Sequence, residues 1–276
     1  MNSNSSGSSN NQEIKKDLLI NVDIQYQYPS LPTGCEVTSV SMLLKHCCKG
    51  DDNDQDRYSK EVLAEQVGKE QDPCQDHISL VGGNPYRAFV GLPTSKLSFG
   101  MFHQPVYHLI DNQFNNSNDN NNNNNNSNSL KAIDLTDKCN DLANIKYPLK
   151  LNESEEYIKS RLDHFETETT SGSDDDDDES DIEILKNHLN KYNYPIIIWM
   201  TLELRKPSIT DTWIDVNVPE NEIHWVSPEH CALLVGYNEN EFIINDPHTG
   251  KVEYYNKDLF LKRWRQMGRQ AVSIIQ

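Results

Sequence analysis

Two stretches of this 276-residue chain carry too little apolar surface to join a folded core, and they bound everything else. Residues Asn115 to Ser129 are nearly pure Asn. From Glu153 to Glu183 the sequence has 14 acidic residues against Lys159 and Arg161, a net of −12, and the run Asp174 to Glu179 dominates it. Ordering such segments costs more conformational entropy than their burial returns, so both read as disordered. The tail from Met1 to about Gln12, mostly Asn, Ser and Gly, reads the same way. What remains is roughly one domain's worth of core-forming sequence. The expected layout is a polar tail over residues 1–16 and a single domain over 17–276, interrupted by an Asn-rich insert at about 112–130 and an acidic linker at about 166–180.

The acidic stretch accounts for most of the formal charge of −18. The remainder shows no basic patch, no interleaving of aromatic and basic residues and no phosphate-binding Gly loop, so no nucleic-acid partner is expected. No apolar run is longer than the five residues Ile196 to Met200, far short of a membrane span, and the N-terminus has no signal-peptide core. The expectation is a cytoplasmic protein, without membrane association, whose six cysteines are reduced.

The string Leu31-Pro32-Thr33-Gly34-Cys35-Glu36-Val37-Thr38-Ser39 places a cysteine in the first turn of a helix. Thr33 and Glu36 have the spacing of a capping box, and Val37, Val40 and Leu44 recur on one face. Free N–H groups and the helix dipole favour an anion there, so the Cys35 thiol is expected to ionise more readily than usual.

A cysteine nucleophile needs a base, and the base needs an orienting partner. The last third reads as antiparallel sheet. His230 to Tyr237 forms one strand, Asn238-Glu239-Asn240 a turn, and Glu241 to Asp246 the return strand. A turn centred on Glu239 sets His230 opposite His248 and Asp246 diagonal to His230. Diagonal residues lie roughly 7–8 Å apart at Cα, within reach of an imidazole and a carboxylate. Cys231 then points to the other side, into the core, and His248 is read as a turn residue. An oxyanion donor is also needed. The backbone N–H of Cys35 and a Gln shortly before it, Gln25 or Gln27, are the candidates.

Elsewhere, Ile20, Val22, Ile24 and Tyr26 alternate as a strand. A short helix is expected near Lys60–Val67, an ordered Gly/Pro-rich loop over 72–104 and a helix opened by Pro105. A strand and helix are expected between Lys131 and about Ile145, and a helix carrying Ile158, Leu162 and Phe165. A second capping box, Ser180 with Glu183, opens another helix, and Tyr194 to Leu204 is a buried strand. A polar loop carries Trp213 and Trp225. A basic helix around Lys257–Met267 and a strand over Gln270–Ile275 follow.

The sequence resembles the papain-fold cysteine peptidases related to the bacteriocin-processing, double-glycine-leader peptidases, family thirty-nine, and its stand-alone branch. The resemblance rests on Gln27-Tyr28-Pro29, Leu31 to Ser39, Gly91-Leu92-Pro93, Ser98-Phe99-Gly100, Tyr194 to Trp199, Asp211-Thr212-Trp213, Glu229-His230-Cys231, Gly236-Tyr237 and Asn245-Asp246-Pro247. It covers most of residues 19–276. It implies an α+β papain-like fold, with a Cys-bearing helix packed on an antiparallel sheet that carries His and Asp. It implies Cys35 as nucleophile, His230 as general base, Asp246 as its orienter and Gln27, which directly precedes Tyr-Pro, as the oxyanion residue. The chain lacks the transmembrane and ATP-binding motifs of transporter-linked members. The expected activity is thiol-dependent cleavage of a peptide or isopeptide bond in a peptide or protein substrate, with no cofactor. A catalytically silent peptide-binding module on the same fold, or an amidase or acyltransferase with the same triad, are the alternatives. Cys74-x-x-His77 with His46, Cys47 and Cys48 lacks paired Cys-x-x-Cys units, so no metal site is expected.

Overall fold

The computed structural model describes residues 14–48, 56–118, 130–142, 145–167 and 176–276. In chain order the elements are β1 (Leu18–Leu19), α1 (Cys35–Cys47), α2 (Lys60–Gln66), β2 (Lys69–Glu70), β3 (Cys74–Asp76), β4 (Ser79–Gly82), β5 (Phe89–Val90), α3 (His103–Asn118), β6 (Lys131–Asp134), α4 (Thr136–Asn140), α5 (Glu155–Thr167) and α6 (Asp176–Tyr192). They continue with β7 (Ile196–Thr201), β8 (Ser208–Asp215), β9 (Glu222–Ser227), β10 (Glu229–Tyr237), β11 (Glu241–Asp246), β12 (Lys251–Asn256), α7 (Lys257–Gln266) and β13 (Ala271–Ile275). The fold is α+β, as expected. Among the described residues no helix is long and apolar enough to cross a membrane.

The main sheet has the order β12-β11-β10-β7-β13-β6, with β1 added on β10. The run Ile196 to Met200 sits at its centre because both faces of β7 are covered, which is why its sequence is continuously apolar rather than alternating. Helix α1 lies against β10 and β7, and all residues from Cys35 to Leu44 are buried. Three core Trp residues satisfy their ring N–H: Trp199 donates to Met101 O at 3.0 Å, Trp213 to Gly83 O at 2.7 Å and Trp264 to Gln270 O at 3.1 Å.

A second sheet, β3-β4-β8-β9, stands where the sequence reads as loop. Its strands are polar enough to hide their period. β8 turns Trp213 and Asp215 inward, while Asp215 takes hydrogen bonds from Asn84 at 3.0 Å and from Arg87 at 2.7 and 3.0 Å. The expected strand over Ile20 to Tyr26 is also corrected. Only Leu18 and Leu19 pair with β10, because β7 already bonds β10 from Glu229 to Leu234. The chain beyond stays extended, held by Ile20 N–H to Val235 O and by Asn245 Nδ2 to Val22 O.

Helices reach into the ends of both polar stretches. Helix α3 runs to Asn118, so the start of the insert placed at about 112–130 is helical; residues 119–129 lie outside the described ones. Helix α6 begins at Asp176, before the Ser180 capping position, and α5 runs to Thr167, so only 168–175 of the linker placed at about 166–180 lie outside the described residues. The acidic residues flanking that gap have cationic partners on and after α7. Glu166 accepts from Arg263 at 2.5 Å. Asp181, fully buried, accepts from Arg265 at 2.9 and 2.7 Å and from Arg269 at 3.0 Å.

Removing one member of a buried ion cluster strands the others without compensation. Asp181→Ala is therefore expected to cost roughly 3–5 kcal/mol of unfolding free energy, read by urea titration. A loss below about 1 kcal/mol would show that Arg265 and Arg269 find water instead.

Candidate active site

Helix α1 starts at Cys35, with Gly34 at the cap position and no side-chain cap. The expected Thr33–Glu36 capping box does not form. Thr33 Oγ1 instead donates to Ser95 O at 2.9 Å and lies near Leu92 O at 3.2 Å, tying the helix entrance to the Gly/Pro-rich loop. Glu36 is fully buried, and its Oε1 accepts the Met101 N–H at 2.7 Å. The reason lies in the helix pattern. Glu36 shares a stripe with Val40, Leu43 and Leu44, and that stripe faces protein on every side.

The hairpin keeps its expected register where it matters. Leu233 pairs with Asn245 and Leu234 with Ile244; beyond them an irregularity between Leu234 and Gly236 moves the pairing by one toward the turn. Asn238 Oδ1 accepts from the N–H groups of Asn240 and Glu241, which fixes that turn. His230 Nε2 and Asp246 Oδ1 meet at 2.8 Å, both buried. Asp246 Oδ1 also accepts the His248 N–H at 2.8 Å, and Tyr255 Oη approaches Oδ2 at 3.4 Å. Because Nε2 is engaged, Nδ1 is the imidazole nitrogen free for another partner. His248 does sit in the turn, where it hydrogen-bonds Tyr28 Oη at 3.0 Å, and its ring also lies 6.0 Å from that of His230. Cys231 is core, as expected.

Cys35, His230 and Gln27 line one open cleft of about 540 Å³, together with Thr33, Trp225 and Glu229. Phe99 and Trp225, with ring centroids 5.4 Å apart, form its aromatic wall, backed by Phe102 stacked on Trp225. Gln25 is elsewhere: its Nε2 donates to Ser41 Oγ on α1 at 2.9 Å. Gln27 is buried and donates one N–H to Pro32 O at 2.8 Å, while its Oε1 has no partner among the described residues.

The electrostatics divide the acidic groups sharply. Burial alone would raise the Asp246 carboxyl, but the hydrogen bond and charge of His230 and the His248 N–H outweigh it and hold it below the usual carboxylate range. Cys35 departs from expectation. Burial pushes its thiol well above the ordinary value, and Glu36 and Glu229 push the same way. The helix terminus does not compensate. The thiol donates to Glu36 Oε2 at 3.3 Å. Burial raises Glu36 to about 7 against the Met101 N–H bond, and burial with Glu36 nearby raises Glu229 well above its ordinary value.

The chain has known relatives. The sequence matches the Peptidase_C39-like family over residues 19–136 and 134–272. The chain belongs to that family. It is 25% identical over 250 residues to the uncharacterized protein YvpB of Bacillus subtilis (strain 168), covering 91% of this chain and 72% of the relative. The crystal structure of a candidate C39-like peptidase from Bacillus anthracis superposes with a TM-score of 0.58 at 21% identity, covering 95% of this chain and 98% of that one, and shares the fold.

Two residues of the site escaped the sequence reading. The spacing of Glu36 suggests a helix cap, yet a carboxylate on the apolar stripe of a buried helix is itself the signal. Glu229 sits beside His230 on β10 and carries no pattern of its own.

The raised Glu36 has a stability consequence. Below about pH 4.5 the carboxyl is protonated in folded and unfolded chains alike; from there to about 7 only the folded chain keeps the proton. Its contribution therefore falls as pH rises across that window, by about 3 kcal/mol at most. The difference in unfolding free energy between wild type and Glu36→Gln, measured in urea at a series of pH values, should shrink over this range. Parallel curves would show that Glu36 is not raised.

Proposed function

We propose that this chain is a thiol-dependent hydrolase of peptide or isopeptide bonds, with Cys35 as nucleophile, His230 as general base and Asp246 as its orienter. The buried 2.8 Å bond between His230 and Asp246, in the wall of the cleft that Cys35 lines, carries the reading. A partner fixed on Nε2 favours the tautomer with a free Nδ1 and stabilises the imidazolium once it forms. Nδ1 takes the proton from Cys35 Sγ, and the thiolate attacks the scissile carbonyl. The imidazolium then protonates the leaving amine, and water hydrolyses the acyl-enzyme by the same base. The bond from the thiol to Glu36 is a resting arrangement; catalytic contacts tighten when substrate binds.

Gln27 is the oxyanion donor in this reading. One of its N–H groups is held by Pro32 O, which orients the amide, and the other is free to meet the developing charge with the Cys35 backbone N–H. The cleft volume falls in the range typical of ligand sites, and its aromatic wall suits an extended peptide segment.

Cys35→Ala is expected to abolish cleavage in a peptide-library screen while melting normally. Gln27→Ala should lower turnover about 100–1000-fold. Gln25→Ala should lower the melting temperature through its lost bond to Ser41 and leave turnover near wild type. An intact protein whose Cys35 reacts with a covalent thiol probe no faster than Cys74 would be a binding module, not a hydrolase.

A further inference from the structure

Cys35 shares its surroundings with two carboxyl groups that the triad does not use. Ligand atoms of Cys35, Glu36 and Glu229 all lie within 4.8 Å of one another. Glu36 is fully buried; Glu229 is half-buried, with its Oε1 enclosed and without a partner among the described residues. Space has been left for them. Gly100 has φ +144, and a Cβ there would stand 2.4 Å from Glu36 Oε1 and 3.6 Å from Glu229 Oε2. No cation is among the groups acting on either carboxyl. From α1 the neighbour is Cys35. From β10 they are His230 and Cys231, and from β11 it is Asp246 beyond Cys231. From the loop at Met101 it is a backbone N–H alone, and from β7 they are the neutral Met200 and Thr201 that pair with His230 and Glu229.

Two carboxylates this close, with nothing positive between them, do not both ionise. The pair holds a proton into the neutral range. Where that proton resides decides what the sulfur can do. A Glu36 carboxylate accepts the S–H, which is the bond seen at 3.3 Å, and keeps the thiol neutral. A protonated Glu36 turns its O–H toward sulfur and supports the thiolate.

We propose that Glu36 and Glu229 form a proton-holding pair that gates Cys35, so that the thiolate forms readily only while the pair carries its proton. The step balances without a further reagent. The S–H proton passes to His230 Nδ1, giving thiolate and imidazolium. The pair's proton stays on Glu36 throughout the transfer, and its O–H donates to the sulfur as the thiolate forms. Loss of the pair's proton at higher pH sets a second negative charge against the thiolate and suppresses it. The proposal rests on Cys35 being the nucleophile, and it adds Glu36 as a group touching the reacting atom and Glu229 as the residue that keeps Glu36 protonated.

The test is the pH dependence of Cys35 alkylation by iodoacetamide in the full chain, resolved from the other cysteines by peptide mass. Wild type, Glu36→Gln, Glu229→Gln and His230→Ala are compared. The amides keep shape and remove charge. Glu36→Gln should lower the midpoint by about one pH unit or more and speed alkylation about tenfold at pH 8. Glu229→Gln should move it the same way by less. An unshifted midpoint in folded Glu36→Gln overturns the gate. If that variant does not fold, an unshifted midpoint in Glu229→Gln does so instead. His230→Ala separates this from the triad. A raised midpoint there with no shift in the Gln variants keeps the triad and rejects the gate. The reverse keeps the gate and rejects the pairing of Cys35 with His230.

Discussion

The antiparallel register of β10 against β11 is the constraint on which the site depends. It sets Asp246 diagonal to His230, and a slip of one residue would send one of them to the opposite face. The protein protects that register from both sides. β7 bonds β10 from Glu229 to Leu234, so the His-bearing half is locked into the centre of the sheet. The irregularity after Leu234 confines the change of pairing to the turn half. Gly236 lies in that half because β1 crosses it closely, and a Cβ there would stand 2.2 Å from Leu18 O. The strand is regular where chemistry needs it and adjusted where only packing does.

Two carboxyl environments, one beside Cys35 and one beside His230, show how much hydrogen bonding decides. Asp246 receives His230 and the His248 N–H, and these outweigh its burial. Glu36 receives the Met101 N–H and a weak thiol donor, and burial wins. The same functional group is thus kept charged at one end of the site and protonated into the neutral range at the other. Opposed environments of this kind are how a single site holds an acid and a base together.

Much of this was legible in the sequence, where local pattern and tertiary packing agree. The hairpin from His230 to Asp246 was readable because alternation, turn residues and strand lengths all point to one pairing. Cys35 at a helix start was readable from Gly34 and the apolar positions that follow. The errors came where packing overrides the local signal. Thr33 and Glu36 have capping spacing, but both found partners in the 92–101 segment, which no local rule connects to α1. The alternation from Ile20 to Tyr26 is present, but β7 already occupies the edge of β10 it would need. The strands β8 and β9 were hidden by polar residues such as Asp215, whose burial is tolerable only because Asn84 and Arg87 approach from a distant segment. The start of α6 reads as linker because its run of acidic residues carries no apolar position before Ile182.

The buried Glu36 also anchors the part of the Gly/Pro-rich segment between β5 and α3, which holds no strand or helix. Met101 donates its N–H to Glu36 on α1 and accepts the Trp199 ring N–H from β7 with its carbonyl. One residue thereby joins α1 to the sheet. Just before it, Phe99 packs on Trp213 and Trp225, with centroids 4.8 and 5.4 Å away, and so holds the second sheet to the same loop. Thr33 closes the circuit at the helix entrance through Ser95 O. The wall of the cleft and the start of α1 are therefore parts of one network. A buried carboxyl is a costly way to make such a joint, since an apolar side chain would pack there without desolvation. An apolar side chain would also leave the Met101 N–H unsatisfied and remove the group that touches the Cys35 sulfur. Its position where helix, loop and sheet meet at Cys35 ties the shape of the cleft to the protonation of the residues beneath it.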